Sequence, residues 1–548
     1  MVSSLTSGKV RANDQRVEEG TTASAAKDRQ PVGRLRLSRE AVNSALFRLI
    51  HAGPMSVALL CPASACAARN GARASGFVLS LIATFVFAMG AFAPAVLNDG
   101  DTWSHLATGA WIMTHEAVPR GDPFSHSMPG APWTAHEWLS EIVLALAFRA
   151  GGWNGVALLT AFAAAAAALV LGLRVARDLS GAPLGVVVAL GVGLWAPTLL
   201  ARPHVLALPL AALWTAGLLA ARDRDSVPPL ALAFLMTLWA NMHGGFVFGL
   251  ALIAPFACEA VLEAEPAAGA FAARGWALFA LASVAAALVN PYGFEALVFP
   301  FKLIGVEHLA RISEWAPQDF SCLGPMEVAL IALIAFALRQ RMAAPPIRVA
   351  IIAALTAMAL AHTRHAQLLG LVAPMLLAQP IAEAIGVRPL GDVRPVARPA
   401  LSVGLAAALA FAAFRAAAPI VRTDGPGAPL AAVAAVPPGL REKPVLNAYS
   451  FGGYLIFAEV RPFIDGRADM YRGDMLGLYE KLADGDPATI EATLARYHIA
   501  WTLFAPDERI VAALDREPGW RRLYADSVAV VHARDDAHAS ISVGGVSR

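Results

Sequence analysis

Charge is scarce in this chain. Of 548 residues only 15% are charged, against about 25% in an average soluble protein. Hydrophobic residues make up 57%. Surface-to-volume scaling gives a soluble chain a polar skin, and this composition cannot furnish one. A soluble enzyme, a disordered regulator and a fibrous protein are thereby excluded. A polytopic membrane protein with one soluble part is the class that fits. Net charge is also small, at +2, so no broad electrostatic case exists for a nucleic-acid partner. The four cysteines, Cys61, Cys66, Cys258 and Cys322, form no CxxC pair and no disulfide framework. No HExxH zinc motif, internal repeat or clean signal peptide is present.

What is present is a series of apolar runs. Residues 1–75 carry eleven Lys/Arg and five Asp/Glu and read as a disordered basic cytoplasmic tail, with Met55 an alternative start. Residues 77–97 form the first convincing span, since about 20 apolar residues cross about 30 Å of hydrocarbon. The basic tail keeps its N-terminal side inside, and residues 98–137 then lie outside. Further apolar segments follow at 138–151, 155–173, 184–200, 204–221, 229–262, 272–289, 325–342, 347–362, 366–386 and 399–418. The 229–262 stretch is too long for one span and breaks at Asn241-Met242-His243-Gly244-Gly245. The expectation is a transmembrane helical bundle of about 10–12 spans over residues 76–420.

Residues 425–540 regain charge and aromatics. PVLNAY (444–449), RPFIDGR (461–467), AWTLFAP (500–506) and SVAVVHA (527–533) read as strands. Residues 474–497 and 507–516 read as helices. The alternation predicts a small soluble α/β domain, expected on the outer face beside the first loop.

The first loop is dense in chemistry. Asp99 and Asp101 follow the first span, and Trp103 and His105 lie on a short helix after them. Trp133, His136, Glu137 and Trp138 close the loop. Paired carboxylates at a membrane surface can serve as a general base or hold a divalent cation. They can equally form a solvated acidic turn under a belt of tryptophans. Asp99, Asp101, His136 and Glu137 are the candidate metal ligands, and an oxygen-rich set suits Mg²⁺ or Mn²⁺ better than zinc. Polar residues also punctuate the apolar runs: Arg202 with His204, Asn241 with His243, and Arg364 with His362 and His365. Ionisable groups at membrane depth usually face a cavity or a partner, although an arginine near a helix end can also snorkel. An arginine facing a cavity can hold a lipid phosphate through two parallel hydrogen bonds. Asp465 and Arg467 in the tail can bind a polar ligand or fix a turn.

These motifs carry a resemblance. D-G-D-T-W-S-H-L-A-T-G (99–109 with Asn98 before it), then P-R-G-D-P-F-S (119–125), then W-T-A-H-E-W-L-S-E (133–141), resemble a bacterial group of polytopic proteins in the GT-C glycosyltransferase class. The later segments A-R-P-H (201–204), W-A-N-M-H-G-G (239–245), N-P-Y-G (290–293), G-G-Y-L (452–455) and F-I-D-G-R-A-D (463–469) extend it over residues 77–534. The class includes protein O-mannosyltransferases, oligosaccharyltransferase catalytic subunits and aminoarabinose transferases. The resemblance implies a multi-pass protein of the bacterial inner membrane that takes a sugar from a polyprenyl-phosphate donor. It implies a catalytic carboxylate in the first outer loop, which here falls on Asp101 as base with Asp99 as helper or metal ligand. It implies a substrate site built from Trp103, His105, His136, Glu137, Arg202, His204, Asn241, His243 and Arg364. Where relatives have two aromatics before the histidine, this chain has Trp103-Ser104. No WWDYG-like motif is present, so protein N-glycosylation is not implied.

Two other functions compete. A transporter or flippase would also use a broken helix and buried Arg and His, but such proteins tend to carry internal repeats. A non-catalytic scaffold would need neither Asp99, Asp101, His136 nor Glu137. With the transferase, membrane lipids and the lipid-linked donor are the expected partners, and nucleic acid is not.

Overall fold

Hydrocarbon offers no partner to a backbone N–H or C=O, so apolar segments that enter it close their hydrogen bonds within helices. The computed structural model describes residues 63–304, 315–387 and 396–535. The basic tail up to residue 62, with Cys61, lies outside the described residues. From Ala63 the chain is already helical: α1 (Ala63–Phe92) starts before the expected 77 and stops at Phe92, and Pro94–Leu97 form a turn of 3-10 helix. The bundle continues through α2 (Gly100–His115), α3 (Trp138–Val175), α4 (Gly181–Trp195), α5 (Pro203–Arg222), α6 (Ala233–Met242) and α7 (Phe246–Glu263). It is completed by α8 (Pro266–Ala287), α9 (Phe294–Ile304), α10 (Pro325–Gln340), α11 (Pro346–Ala361), α12 (Ala366–Ala384) and α13 (Arg398–Ala417).

Among the described residues, eight helices are long and apolar enough to cross a membrane, and the shorter apolar helices Leu230–Met242 and Pro346–Ala361 lie between them. Phe162, Phe234, Phe271, Leu281 and Leu338 point outward from the bundle. Such a surface would aggregate in water and is the ordinary face of a helix in lipid. The two segments expected at 138–151 and 155–173 are two helices, the halves of α3, which meet at the non-helical pair Gly151 and Gly152. Gly152 has φ +57°, a conformation that suits a residue without Cβ. The break expected near 241–245 separates α6 from α7.

Charged side chains brace the bundle at one end. Arg348 donates through Nε and Nη2 to Glu259 at 3.1 and 2.8 Å. Arg222 reaches Glu263 at 2.6 Å, and Arg174 reaches Asp178 at 2.8 Å and Asp223 at 3.2 Å. These pairs join the ends of α3, α5 and α7 to the start of α11.

The opposite ends of those helices carry the first loop and the tail domain. The tail's strands are β1 (Val445–Asn447), β2 (Trp501–Phe504), β3 (Trp520–Ala525) and β4 (Val530–Arg534), in sheet order β1-β2-β4-β3. β1 and β2 are parallel, and the other pairs are antiparallel. A parallel pair needs a crossover. Here it is built from α14 (Gly452–Phe457), α15 (Ala468–Ala483) and α16 (Pro487–Arg496), and α17 (Arg509–Leu514) follows β2. The segment 461–467, expected as a strand, is an irregular loop, because its polar groups turn inward to bond one another. The single helix expected over 474–497 is two, split at Gly485, whose φ is +79°. β3 was not anticipated: its face is largely exposed and carries Arg521 and Arg522, so no apolar alternation marks it.

First loop and tail share one core. Trp133 and Ala135 are buried with Val433, Leu446, Phe463, Trp501 and Val531. The loop and the tail therefore lie on the same face of the bundle. Arg467 is the bolt between them. It donates to Asp465 at 2.7 Å through both Nε and Nη2, and to Asp122 of the loop at 2.7 Å. Its guanidinium lies 4.7 Å from the Trp133 ring centroid. Tyr471 completes the set with a 2.6 Å bond to Asp465. Asp465 and Arg467 thus fix a turn.

Candidate functional site

A cleft of about 140 Å³ opens where α2, the end of the first loop, α5 and the tail meet. Its wall includes Asp101, His105, His136, Glu137, Arg202, His204, His243 and Arg364. Those residues are spread over more than 260 positions of sequence, and the fold gathers them. Three other expected site residues are turned away. Asp99, Trp103 and Asn241 do not line the cleft.

The reason is local in each case. Asp99 is the N-cap of α2, and its carboxylate accepts from the Asp101 N–H at 3.3 Å, which satisfies one orphan amide of the helix start. The same carboxylate takes the Arg202 guanidinium through Nε and Nη2. Burial would raise the Asp99 carboxyl, but Arg202 outweighs it and holds it below the usual range. Trp103 is buried in an aromatic cluster with Trp153 at 4.4 Å, Phe457 at 4.8 Å and Tyr454 at 5.1 Å between centroids. It anchors α14 of the tail to α2. Asn241 accepts from Trp138 Nε1 at 2.9 Å and donates to Thr237 and Val289 carbonyls at 2.8 Å each. Its amide thus ties α6 to the start of α3 and to the chain just after α8.

Asp101 does face the cleft, and its Oδ2 lies 2.8 Å from Arg202 Nη2. One guanidinium therefore spans both carboxylates of the D-G-D motif. Arg202 is held ready by the Pro203 start of α5 and approaches from the bundle side. Arg364 lies 4.4 Å over the Trp315 ring. Among the described residues it makes no ion pair, so its charge is turned to the cleft.

Behind this row lies Glu137, ringed by histidines. His243 Nε2 is 3.4 Å, His136 Nε2 3.7 Å and His105 Nε2 3.9 Å from its oxygens. Burial would raise the Glu137 carboxyl, but the histidines, His136 first, bring it down to about 2. The histidines differ in state. His243 accepts from the Gly245 N–H at 3.0 Å through Nδ1, so its one proton sits on Nε2 and points at Glu137. Burial keeps this ring neutral, down to about 3. His105 instead has a carboxylate at each nitrogen, with Glu141 3.1 Å from Nδ1. Burial works against its charge, but the Glu141 bond and the Glu137 and Glu141 charges win and raise it to about 8.

The tail supplies the opposite wall with Tyr449, Gly466, Arg467, Ala468 and Asp469. The contact is backbone-close: a Cβ at Gly466 would overlap Asp101 Oδ1. Asp469 was not among the expected site residues. Burial pushes its carboxyl up to about 6, against the pull of His136 and Arg467. Its one sequence signal was its place at the end of F-I-D-G-R-A-D.

A divalent cation was expected on Asp99, Asp101, His136 and Glu137. Among the described residues, no three His, Cys, Asp or Glu side chains are gathered in a form that could hold a metal. The two aspartates share Arg202, and His136 and Glu137 face each other. This donor set does not fit Mg²⁺ or Mn²⁺ as it stands.

An apolar groove of about 530 Å³ runs along the bundle between α4, α10, α11 and α12, lined by Val186, Leu190, Leu333, Phe336, Ile352 and Leu377. None of its lining residues falls within 202–243. The start of α12, at Ala366, is two residues from Arg364.

No protein-family model matches this chain, and no curated protein matches it. Among solved structures it is similar to the oligosaccharyltransferase of Archaeoglobus fulgidus in the apo form, at 12% identity and a TM-score of 0.48. That superposition covers 78% of this chain and 69% of the other.

Proposed function

We propose that this chain is an integral membrane glycosyltransferase that moves a sugar from a polyprenyl-phosphate donor to an acceptor hydroxyl, on the outer face of the bacterial inner membrane. The observation that carries this reading is the cleft. It brings the first-loop carboxylate Asp101 together with Arg202 and Arg364, at one end of a bundle of long apolar helices. A lipid-linked sugar is amphiphilic, and its reacting carbon sits at the level where such a bundle meets water. The groove along α4 and α12 offers an apolar surface for the prenyl tail.

Each group then has one task. Asp101 takes the proton of the acceptor hydroxyl as its oxygen attacks the anomeric carbon. The bond from that carbon to the donor phosphate oxygen breaks, and the polyprenyl phosphate leaves with the electron pair. Arg364 stabilises the charge that grows on the leaving phosphate. Arg202, clamped by Asp99, fixes the Asp101 carboxylate in place. A single displacement of this kind inverts the anomeric configuration. No step is routed through a metal.

The test is transfer from a panel of radiolabelled polyprenyl-phosphate sugars in membranes. Wild type is run beside Asp101→Asn, with and without EDTA. Transfer by wild type and its loss in the variant support the reading, and the EDTA lane reports on Mg²⁺ or Mn²⁺. Donor binding without transfer from any donor favours the transporter or flippase alternative.

A further inference from the structure

Asp469 is a charged residue that the tail brings to the cleft and that the transfer chemistry leaves unused. It stands in the first turn of α15, where an acid commonly serves the helix alone. Such an acid would point to water. This one lines the cleft, and among the described residues it makes no ion pair. The neighbouring cation, Arg467, is turned away onto Asp465 and Asp122. The carboxylate therefore has lone pairs to offer a ligand, and no cation beside it satisfies them.

Its position says which ligand. The cations Arg202 and Arg364 come from the bundle, and they mark the side of the phosphate. Asp469 and Tyr449 come from the tail, across the cleft. A carboxylate is an acceptor only and repels a phosphate. It suits a molecule that brings hydroxyl donors. Tyr449 adds an aromatic ring, the usual platform for the apolar face of a sugar. The wall is held in register by the close fit of Gly466 on Asp101, so a group bound at Asp469 is placed relative to the base.

We propose that Asp469 positions the acceptor, and that the acceptor is a polyhydroxylated molecule, a sugar or sugar-bearing lipid, with one hydroxyl attacking and a second donating to Asp469. This rests on the transferase reading. Asp469 is a specificity-determining positioning residue, and Asp101 keeps the proton.

The experiment uses the full chain in proteoliposomes with the donor that supports transfer. The acceptor probes are octyl glycosides of glucose, mannose, galactose and N-acetylglucosamine, with n-octanol as the single-hydroxyl control. The wild type is expected to use at least one glycoside and to use octanol poorly. Asp469→Asn should raise the glycoside KM about tenfold with kcat nearly unchanged, the pattern of lost binding rather than lost chemistry. Asp469→Glu should recover part of the loss, and thermal melting should show both variants folded. A folded Asp469→Asn enzyme with unchanged KM overturns the proposal while the transferase reading stands. So does a wild type that prefers octanol. A wild type that transfers to no acceptor overturns the transferase reading, and this proposal with it.

Discussion

At the end of the bundle away from the cleft, Arg348 and Glu259 face each other at 2.8 Å, both buried, and the buried Arg222 reaches the exposed Glu263 at 2.6 Å. At the cleft end the same residue types are arranged differently. Arg202 is shared between two aspartates, Arg364 lies on a tryptophan, and Glu137 collects three histidine nitrogens. The first set neutralises itself and holds helices together. The second set leaves charge facing a cavity. The presence of ionisable groups near a membrane is thus not itself a functional signal. What separates a brace from a site is whether the paired charges also line a cavity.

The comparison can be broken from either end. The largest effect is expected at Asp101: Asp101→Asn should lower transfer by about a thousandfold, within the usual range for loss of a general base. Its thermal midpoint should stay close to that of wild type. An equally large loss of stability would place Asp101 with the braces. The reverse pattern is expected of Glu259→Gln. It leaves Arg348 buried without a counter-charge, which should cost about 3 kcal/mol of stability and leave transfer per folded molecule intact. A denaturation series in detergent, read beside specific activity, separates the two.

His105 sharpens the comparison through pH. Its folded state holds the proton more tightly than the unfolded state, at about 8 against the ordinary 6.5. The stabilisation is therefore fully present below pH 6.5 and is lost as pH rises through 8. The difference corresponds to about 2 kcal/mol. The thermal midpoint of wild type should fall across that window, and the fall should be much reduced in His105→Gln. A flat profile in wild type would remove the imidazolium from the account. The smallest effect is expected at Gly466. Gly466→Ala forces the tail segment or the Asp101 carboxylate to shift, and misplacement of this kind should cost about tenfold in transfer. Unchanged transfer would mean that the tail wall tolerates displacement.

Much of the membrane part could be read directly, because apolar runs in lipid have one structural outcome. The break in α3 could be read as well, since Gly151 and Gly152, flanked by Arg149 and Asn154, separate the apolar segments 138–151 and 155–173. In the tail, 461–467 looked like a strand because Phe463 and Ile464 are apolar. The fold instead spends Asp465 and Arg467 on an internal bond network that strand geometry would forbid. Sequence placed Asp101 in a carboxylate motif and named the arginines and histidines that the fold brings to one cleft. It preferred Asp101 over Asp99 by motif position alone, because capping and ion pairing depend on where Arg202 arrives, a hundred residues later. Trp103 shows the same limit: a tryptophan near a membrane surface reads alike whether it faces a ligand or Trp153. Asp469 was overlooked for a related reason, since only the docking of the tail onto α2 turns it toward the cleft.

The most direct test of the central claim is the anomeric configuration of the product. Purified wild-type protein in proteoliposomes, given a polyprenyl-phosphate sugar of known configuration, should yield a glycoside of the opposite configuration by NMR, and Asp101→Asn should yield none. A product of retained configuration, or equal product from the Asp101 variant, would contradict a single displacement at this cleft.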